Sequence, residues 1–505
     1  MDMVNQTIDN KRIAKNTIFL YLRMLVVMCI GLYTVRAILD LLGVVDYGIY
    51  NVVGGVVAMF SFINGTLATS SQRYFSIELA KGDLKRLNQW FCLNISTFLL
   101  FILFFVIIAE TIGLWFVNTQ MTIPQERIRA ANVVYQLSIA SFCINFLSIP
   151  YNALIIARER MSVFAYIGIV EALLKLLIVF LLSVISWDKL IVYGLLMFVT
   201  SCGITLLYIS YNRFYFSESK FRFYWNKQEV KELLSFSGWH FFGTFSVVVR
   251  SHGINILLNI FFNPAINAAR AVAYQIYSAV TQLSDNFFTA VKPQIYKSYA
   301  ARDYDSLYGL IMRSTVICAF LVSVLIFPII INTQYILGLW LKEIPEYTVI
   351  FTQLILINGL IDSTNGPTIA PALATGKIRK YEVIVAFLTF VNLPISYVAL
   401  SLGASPSSTI IISIAMSYIS AIVRAYLLRK MIKLPFKQYL VLFIKLTVSS
   451  ILIWIIAYYT IYNNAKSFVS LCLNTIEIEF LIITIYLALV IKKQDIKSVY
   501  NIIRR

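Results

Sequence analysis

The sequence predicts an all-α polytopic membrane protein with about fourteen transmembrane helices. Of its 505 residues, 59% are hydrophobic and only 13% are charged, whereas about 25% of the residues in a typical soluble domain are charged. Apolar runs of about 20 residues, the length that a helix needs to cross a bilayer, recur along the whole chain. Lysine and arginine also collect in alternate loops between these runs, as the loops of a multi-pass protein do.

The apolar runs supply the candidate helices one by one. They lie at 13–38, 48–70, 90–117, 131–156, 162–186, 189–211, 234–262, 268–291, 308–331, 348–374, 381–402, 407–428, 438–461 and 468–491. The first run is long enough to span and carries an arginine, so it predicts a retained helix and no cleavable signal peptide. The total depends on two short breaks, near 186–189 and 402–407.

The distribution of basic residues predicts the orientation. If the N-terminus is cytoplasmic, 29 lysines and arginines fall in loops on that side and 5 in the opposite loops. By the positive-inside rule, this asymmetry predicts an even number of spans with both termini cytoplasmic. It also accounts for the net charge of +18 without a nucleic-acid partner. Anionic membrane lipids are the partner that such loops favour.

Two short patterns recur six runs apart and suggest an internal repeat. The first pattern consists of Ala80, Asp83 and Leu87 and returns as Ala300, Asp303 and Leu307. The second consists of Pro150, Ala157 and Arg160 and returns, at nearly the same distance, as Pro367, Ala374 and Lys377. Six is even, so two six-helix bundles would share one orientation, as in parallel-repeat transporters. The predicted domains are a lobe at 1–215, a second lobe at 216–433, and two further helices with a cytoplasmic tail at 434–505. Chance matching in helix-rich sequence is the alternative.

Arg23 is a charge in the middle of the first apolar run. A charge at that depth costs several kcal/mol, so it is rarely without a role. Asn16 and Thr34 share its helical face, because their distances from Arg23 along the chain are close to whole numbers of helical turns. The sequence therefore predicts a polar stripe that faces a watery cavity or an anionic partner.

Further deep polar residues predict the rest of a cavity. The candidate cationic residues are Arg23, Arg250, His252 and Lys175. The candidate polar lining residues are Asn16, Thr34, Gln275, Ser278, Gln282 and Asn358. The candidates for exchange of a proton or sodium ion are Asp285, Asp362 and Glu171.

Several of these residues have structural alternatives. Glu171 and Lys175 are one helical turn apart with the acid first, the favourable order for a self-neutralised intrahelical pair. Asp362 stands before Pro367, where the helix is predicted to break, and its carboxyl group would then satisfy freed backbone groups. The alternative for His252 is a buried neutral imidazole.

No pattern of residues predicts an enzyme or a cofactor. The sequence lacks a glycine-rich phosphate loop, a Cys/His pair with metal-ligand spacing, and a Ser/His/Asp grouping in a loop. The six cysteines lie singly inside apolar runs, which is typical of small buried residues. Any energy source would then be an ion gradient, the membrane potential or the gradient of the substrate.

The N-terminal region resembles a known family. The run KNTIFLYLRMLVVMCIGLYTVRAILDLLGVVDYGIYNVVGGVVAMFSFINGTL and the following SSQRYFSIELAKGD resemble the polysaccharide-transporter flippases of the MATE-like (multidrug/oligosaccharidyl-lipid/polysaccharide) superfamily, and most of all the O-antigen and capsule repeat-unit flippases. The most specific element is the predicted loop LGVVDYGIYN at Leu42–Asn51. The likeness is specific over residues 11–90 and extends to the whole chain in topology only.

This resemblance implies a fold, a substrate and a location. The fold would be two six-helix lobes around a cavity that opens alternately to each side of the bacterial inner membrane. The substrate would be an oligosaccharide on polyprenyl pyrophosphate, with Arg23 and Arg250 meeting the pyrophosphate. A polysaccharide polymerase and glycosyltransferases would be protein partners. The alternatives are a lipid II flippase, a multidrug or cation antiporter of the same fold, and a non-transporting membrane scaffold.

Overall fold

The structure is a computed structural model, and it describes residues 10–58, 62–119, 121, 123–262, 264–341, 343–461 and 467–490. Within these ranges the chain is almost entirely helical and contains no strand, as the sequence predicts. The end of the predicted cytoplasmic tail, at 491–505, lies outside the described residues, as do Lys342 and Lys466 of the predicted outer loops.

Seventeen α-helices follow one another along the part of the chain that the structure describes. They are α1 Asn10–Ala58, α2 Phe62–Lys81, α3 Leu84–Ile108, α4 Leu114–Thr119, α5 Ile128–Ala157, α6 Met161–Val184, α7 Lys189–Tyr215, α8 Lys227–Phe261, α9 Pro264–Ala300, α10 Tyr304–Ile331, α11 Thr333–Trp340, α12 Thr348–Asp362, α13 Asn365–Ala374, α14 Arg379–Ser401, α15 Ser408–Ile432, α16 Phe436–Ile461 and α17 Phe468–Ile485. A π-helical turn, Ala109–Gly113, joins α3 to α4, and another, Tyr486–Val490, extends α17.

Eleven helical segments of the described chain are long and apolar enough to cross a membrane. They lie in α1, α3–α4, α5–α8, α10 and α14–α17. The other predicted spans fall on α2, on α9, and on the pair α12 and α13. In α9 a polar stripe lowers the hydropathy, and α12 and α13 are each too short to span alone. The count of fourteen therefore stays a prediction.

The first helix differs from the sequence prediction. We expected a loop at Leu42–Asn51 between two spans, but α1 continues to Ala58 and only Gly43 departs from helical geometry, with φ 76° and ψ 167°. Glycine adopts positive φ without a steric penalty, so this one residue redirects the helix. The turn is much shorter than its sequence suggested.

The break before Pro367 is confirmed. Helix α12 ends at Asp362 and α13 begins at Asn365. Proline lacks the backbone N–H group of a helix interior and is tolerated in a first turn, and Pro367 lies in the first turn of α13. The two short breaks on which the helix count depends are also present, since α6 ends at Val184 and α14 ends at Ser401.

The chain forms two compact units, which we call the N-terminal unit (Arg12–Ser237) and the C-terminal unit (Gly238–Arg505). In the N-terminal unit, α2, α3 and α5 pack around aromatic side chains such as Phe75, Phe91 and Phe98, all fully buried. In the C-terminal unit, α10 carries buried residues against α16 and α17. The predicted boundaries at 215 and 433 stay predictions.

Two turns that the first repeat pattern relates to each other have the same geometry. Gly82 and Arg302 both have positive φ, 75° and 58°. The side chains of the next residues, Asp83 and Asp303, each accept a hydrogen bond from the backbone N–H group three positions on, which is the N-cap interaction. A second pair with positive φ, Glu159 and Gly376 at 57° and 73°, has the spacing of the second pattern. Both pairs agree with the predicted repeat.

A small ion cluster in the N-terminal unit joins α1 to the turn before α5 and to the start of α7. The Arg127 guanidinium binds Asp46 through its Nε, 2.9 Å from Oδ1, and binds Asp188 through Nη1, 2.6 Å from Oδ2. Burial by itself would raise the pKa of Asp188, but the hydrogen bonds from Arg127 and from the backbone of Leu190 and Ile191 bring this pKa below its ordinary value. Asp188 also caps α7, so the cluster fixes the start of that helix.

Candidate functional site

Arg23 of α1 lies against α6 in the N-terminal unit. Its guanidinium carbon is 4.3 Å from the centre of the Phe164 ring, in cation–π geometry. A β-carbon added to Gly168 would lie 2.2 Å from Arg23 Nε, so only glycine leaves room for this side chain. Arg23 Nε is buried and has no hydrogen-bond partner.

The charge of Arg23 is not neutralised within the described part of the chain. Its guanidinium forms no ion pair there; the ion pairs of the N-terminal unit involve other bases. A buried N–H group without a partner costs free energy until it finds an acceptor. The unmet charge and the unpartnered donor make Arg23 a candidate for binding an anionic oxygen.

The predicted partner residues of Arg23 on α1 are buried. Asn16 is 5% exposed and Thr34 is 6% exposed. The Thr34 hydroxyl donates a hydrogen bond to the backbone oxygen of Ile30, whereas Asn16 Nδ2 is buried without a partner. The polar stripe thus faces the protein interior, and two of its three members retain unused donors.

The predicted intrahelical pair on α6 is present. Lys175 Nζ lies 2.6 Å from Glu171 Oε1, and both side chains are about 40% exposed. Tyr208 of α7 interacts electrostatically with both Glu171 and Arg23. The pair consequently lies near Arg23 without neutralising it.

In the C-terminal unit, α9 presents its predicted polar stripe on one exposed face. Gln275, Ser278, Gln282 and Asp285 are all exposed. The opposite face, with Ala273, Val280, Phe287 and Ala290, is buried. Exposed amide and carboxyl groups in a membrane-embedded helix are costly against lipid, so this face is suited to water or a polar ligand.

Asp362, at the end of α12, lies at the centre of a hydrogen-bond network. Its carboxyl group accepts hydrogen bonds from Asn358 Nδ2 at 2.7 Å, Asn365 Nδ2 at 3.0 Å and the hydroxyl group of Tyr277 at 3.3 Å. Ser417 of α15 donates a further one at 3.3 Å. The acid therefore joins α9, α12, α13 and α15, and it is tied to side chains as well as to the helix break.

The two candidate site residues of α8, Arg250 and His252, differ from each other in their surroundings. Arg250 is half-buried and interacts electrostatically with Asp362. No acidic residue lies within one helical turn of Arg250 in the sequence, so only the tertiary fold brings a carboxylate near this arginine. His252 is exposed, not buried as its structural alternative requires.

Two ionisable side chains with polar partners were missed in the sequence. Arg270 of α9 is 3% exposed, bonds to Asn255 Oδ1 and lies 4.6 Å from the ring centre of Tyr274. His240 of α8 binds Glu382 of α14, with Nδ1 3.0 Å from Oε1. The spacing of the second repeat pattern also places His240 at the position equivalent to Arg23, and this signal could have identified it.

Within the described ranges, no group of three or more histidine, cysteine, aspartate or glutamate side chains is close enough to hold a metal ion. The candidate side chains of the two units are cations, amides, hydroxyls and single carboxylates. Such groups can bind ions and polar groups by hydrogen bonding and charge.

Comparison with solved structures identifies the architecture. A multidrug resistance MATE family transporter of the MOP superfamily, in an outward-facing conformation, superposes with a TM-score of 0.66 at 13% identity, over 81% of this chain and 93% of that chain. The chain has the MATE transporter fold. A MATE structure in a bent conformation gives a TM-score of 0.69 at 14% identity, over 85% and 97% of the two chains.

A third similar structure is a MOP superfamily transporter from Pyrococcus furiosus, described as having a binding pocket of reverse polarity that suggests a different function. Its TM-score is 0.63 at 12% identity, over 81% of this chain and 94% of that chain. No protein-family model matches the sequence, and no curated protein matches it either. These identities establish the fold alone, and the MATE-like fold expected from the N-terminal resemblance is confirmed.

Proposed function

We propose that this protein is a transporter that works by alternating access and flips a polyprenyl-pyrophosphate-linked oligosaccharide from the inner to the outer leaflet of the bacterial inner membrane. The observation that carries the proposal is Arg23, a guanidinium inside a membrane helix with a buried, unpartnered Nε and no carboxylate partner in the described chain. An unneutralised diphosphate cannot cross a hydrocarbon layer without large cost. A fixed guanidinium offers a planar, charge-assisted contact to phosphate oxygens.

In this proposal different side chains bind the different parts of the substrate. Arg23 and Arg250 pair with pyrophosphate oxygens during translocation, and Lys175 and His252 are further candidates for contact with the substrate. The exposed amides and hydroxyls of α9 hydrogen-bond the sugar, while the prenyl chain stays in lipid. O-antigen, capsule and exopolysaccharide repeat units share this chemistry, and so does lipid II.

A transport assay with the full-length protein in liposomes tests the proposal. We expect Arg23→Ala to lower the rate of glycolipid flipping roughly 10- to 100-fold, since hydrogen bonds to charged groups contribute about 1.5–3 kcal/mol each. Arg250→Ala should show a smaller loss, because Asp362 already interacts with that charge. The conservative variant Arg23→Lys should keep part of the rate, since it retains the charge but not the planar group over Phe164.

The matched control is Arg36→Ala, which removes an exposed arginine from the same helix and should leave transport unchanged. Wild-type rates in Arg23→Ala and Arg250→Ala would refute the cationic-site model. Export of cationic drugs that is insensitive to Arg23→Ala would instead establish a multidrug transporter, the function named for one of the similar structures.

The same liposomes address energy coupling. We propose that Asp285, Asp362 or Glu171 exchanges a proton or a sodium ion, and Asp362 is the strongest candidate because four side chains hold its carboxyl group in place. Asp362→Asn should then abolish the dependence of transport on an imposed pH or sodium gradient. Transport that ignores both gradients in the wild-type protein would remove all three acids from the mechanism.

A further inference from the structure

The segment Phe216–Asn226, which we call the connector, joins α7 to α8. It lies between two candidate membrane-crossing segments, Lys189–Tyr215 and Lys227–Phe261, so its position is at a membrane surface. Beyond a single 3-10 turn at Ser217–Ser219 it has no regular structure. Three of its aromatic side chains are nevertheless exposed: Phe221 by 44%, Phe223 by 76% and Trp225 by 43%.

The connector is fastened to the N-terminal unit through its backbone. Asn88 Nδ2 of α3 donates hydrogen bonds to the backbone oxygens of Glu218 at 2.6 Å and Lys220 at 2.9 Å. The backbone N–H group of Arg222 lies 3.3 Å from Cys92 Sγ. These contacts fasten the main chain between Glu218 and Arg222, the stretch that carries Phe221 and leads into Phe223 and Trp225.

Two acidic groups, one in the connector and one just after it, are turned inward and neutralised. Glu218 is 4% exposed and binds Arg158. Glu229, at the start of α8, is 7% exposed and binds Arg86 Nη1 at 2.7 Å. Neither carboxylate therefore offsets the charge of the outward-facing bases.

The bases remain on the outer surface. Those of the connector and its flanks are all exposed: Arg213, Lys220, Arg222, Lys227 and Lys231. None of the five forms an ion pair with a carboxylate in the part of the chain that the structure describes. Glu232 of α8 is exposed as well, so the surface combines a net positive charge with exposed aromatic rings.

We infer that the connector is a binding site for anionic phospholipid headgroups. Aromatic side chains favour the headgroup region of a bilayer, and each lysine or arginine near an anionic surface adds to the attraction. Lys220 and Arg222 pair with lipid phosphates, and Phe221, Phe223 and Trp225 enter the interfacial layer beside them. This inference needs only a membrane-embedded chain and is independent of the transported substrate.

Lipid titration tests the charges. Full-length protein in neutral detergent is titrated with phosphatidylglycerol or phosphatidylcholine, and binding is followed through the rise in Tm. Wild-type protein should be stabilised by phosphatidylglycerol in preference to phosphatidylcholine. Lys220→Gln combined with Arg222→Gln should weaken the phosphatidylglycerol affinity by on the order of tenfold.

The matched control is Lys377→Gln combined with Lys380→Gln. These two lysines are exposed and lie on the side predicted for the connector, but the residues next to them, Ile378 and Tyr381, are buried. The control should keep at least half of the wild-type affinity. Equal losses of phosphatidylglycerol affinity in the two double variants would refute the connector site, because the lipid would then be attracted by positive charge spread over the protein surface.

Quenching by brominated phosphatidylcholine tests the aromatic groups. In liposomes that contain phosphatidylglycerol, Trp225→Phe should lower the quenched fraction of tryptophan fluorescence relative to wild type. This substitution keeps an aromatic ring, so the fold is expected to survive even if the charge variants are unstable. A quenched fraction that stays the same or rises in Trp225→Phe would show that Trp225 is no more exposed to lipid than the other tryptophans, and this result refutes the lipid site.

Discussion

At the scale of single residues, glycines make room for charged groups in both units. Gly168 leaves space for the Arg23 side chain, and a β-carbon on Gly243 would lie 1.9 Å from Glu382 Oε2. In each case the charged end of a side chain on one helix occupies the volume that a β-carbon would fill if the glycine of the neighbouring helix were a larger residue. Small residues allow close helix approach in membranes, and here they also set the position of a charge.

The alanine variant Gly168→Ala tests whether the position of Arg23 matters apart from its charge. Its β-carbon would displace the far end of a flexible side chain, so we expect the protein to fold with a Tm close to that of wild type. The flipping rate should fall towards that of Arg23→Ala, because the guanidinium can no longer lie over Phe164. Transport and Tm measured on the same preparation separate the two effects.

Gly203→Ala is the control for this experiment, since nothing lies within 4 Å of a β-carbon added there. It should leave transport unchanged and stabilise α7 slightly, because alanine favours a helix over glycine by about 1 kcal/mol. Full activity of Gly168→Ala would mean that Arg23 does not act from the place in which the structure shows it.

At the scale of elements, the turns at Gly82 and Arg302 carry the strongest sign of duplication. In both, a residue with positive φ precedes an aspartate cap, and a fully buried leucine follows four positions after the cap, Leu87 and Leu307. The cap fixes the start of α3 in one unit and of α10 in the other. The leucine then anchors the first turn of each helix in its core.

Matched cap deletions test this equivalence. We expect Asp83→Ala and Asp303→Ala to lower the free energy of unfolding by similar amounts, about 1 kcal/mol each, the usual cost of losing an N-cap. Unfolding of the purified protein in a denaturing detergent titration measures the change. Asp305→Ala is the control, because this exposed residue caps no helix. A loss at only one of the two caps would argue against a common structural role.

At the scale of the whole molecule, the orientation of the chain in the membrane is predicted from the distribution of lysine and arginine between its loops. The bases of the connector and those of Lys377–Lys380 lie on the side predicted to be cytoplasmic, while the Arg127 cluster lies on the other. Alkaline phosphatase fused after Asp188 should therefore be active, and fused after Arg222 it should be inactive, because the enzyme folds only outside the cytoplasm. The reverse pattern would invert the topology and place the connector at the outer leaflet.

The extent of sequence-based prediction differs between fold and site. The fold class follows from composition and the apolar runs, and the break follows from Pro367. The Glu171–Lys175 pair and the polar stripe of α9 follow from spacing along one helix, and the structure contains each of these features. The site residues as a functional set stay predictions. The prediction of a loop at Leu42–Asn51 was wrong. Small and polar residues are typical of a long loop and also of a turn made by a single residue, so the sequence did not show how short this turn is.

Sequence alone determined what depends on neighbours along the chain: the apolar runs, their helical faces, the charge of the loops and the depth of Arg23. The tertiary structure decided what depends on neighbours across helices. It placed Phe164 and Gly168 around Arg23 and brought Asp362 near Arg250. It also paired His240 with Glu382 and buried the carboxyl groups of Glu218 and Glu229 at the connector. The physical reason is that helix periodicity fixes which residues share a face, whereas the partner of that face is set by packing between segments far apart in sequence.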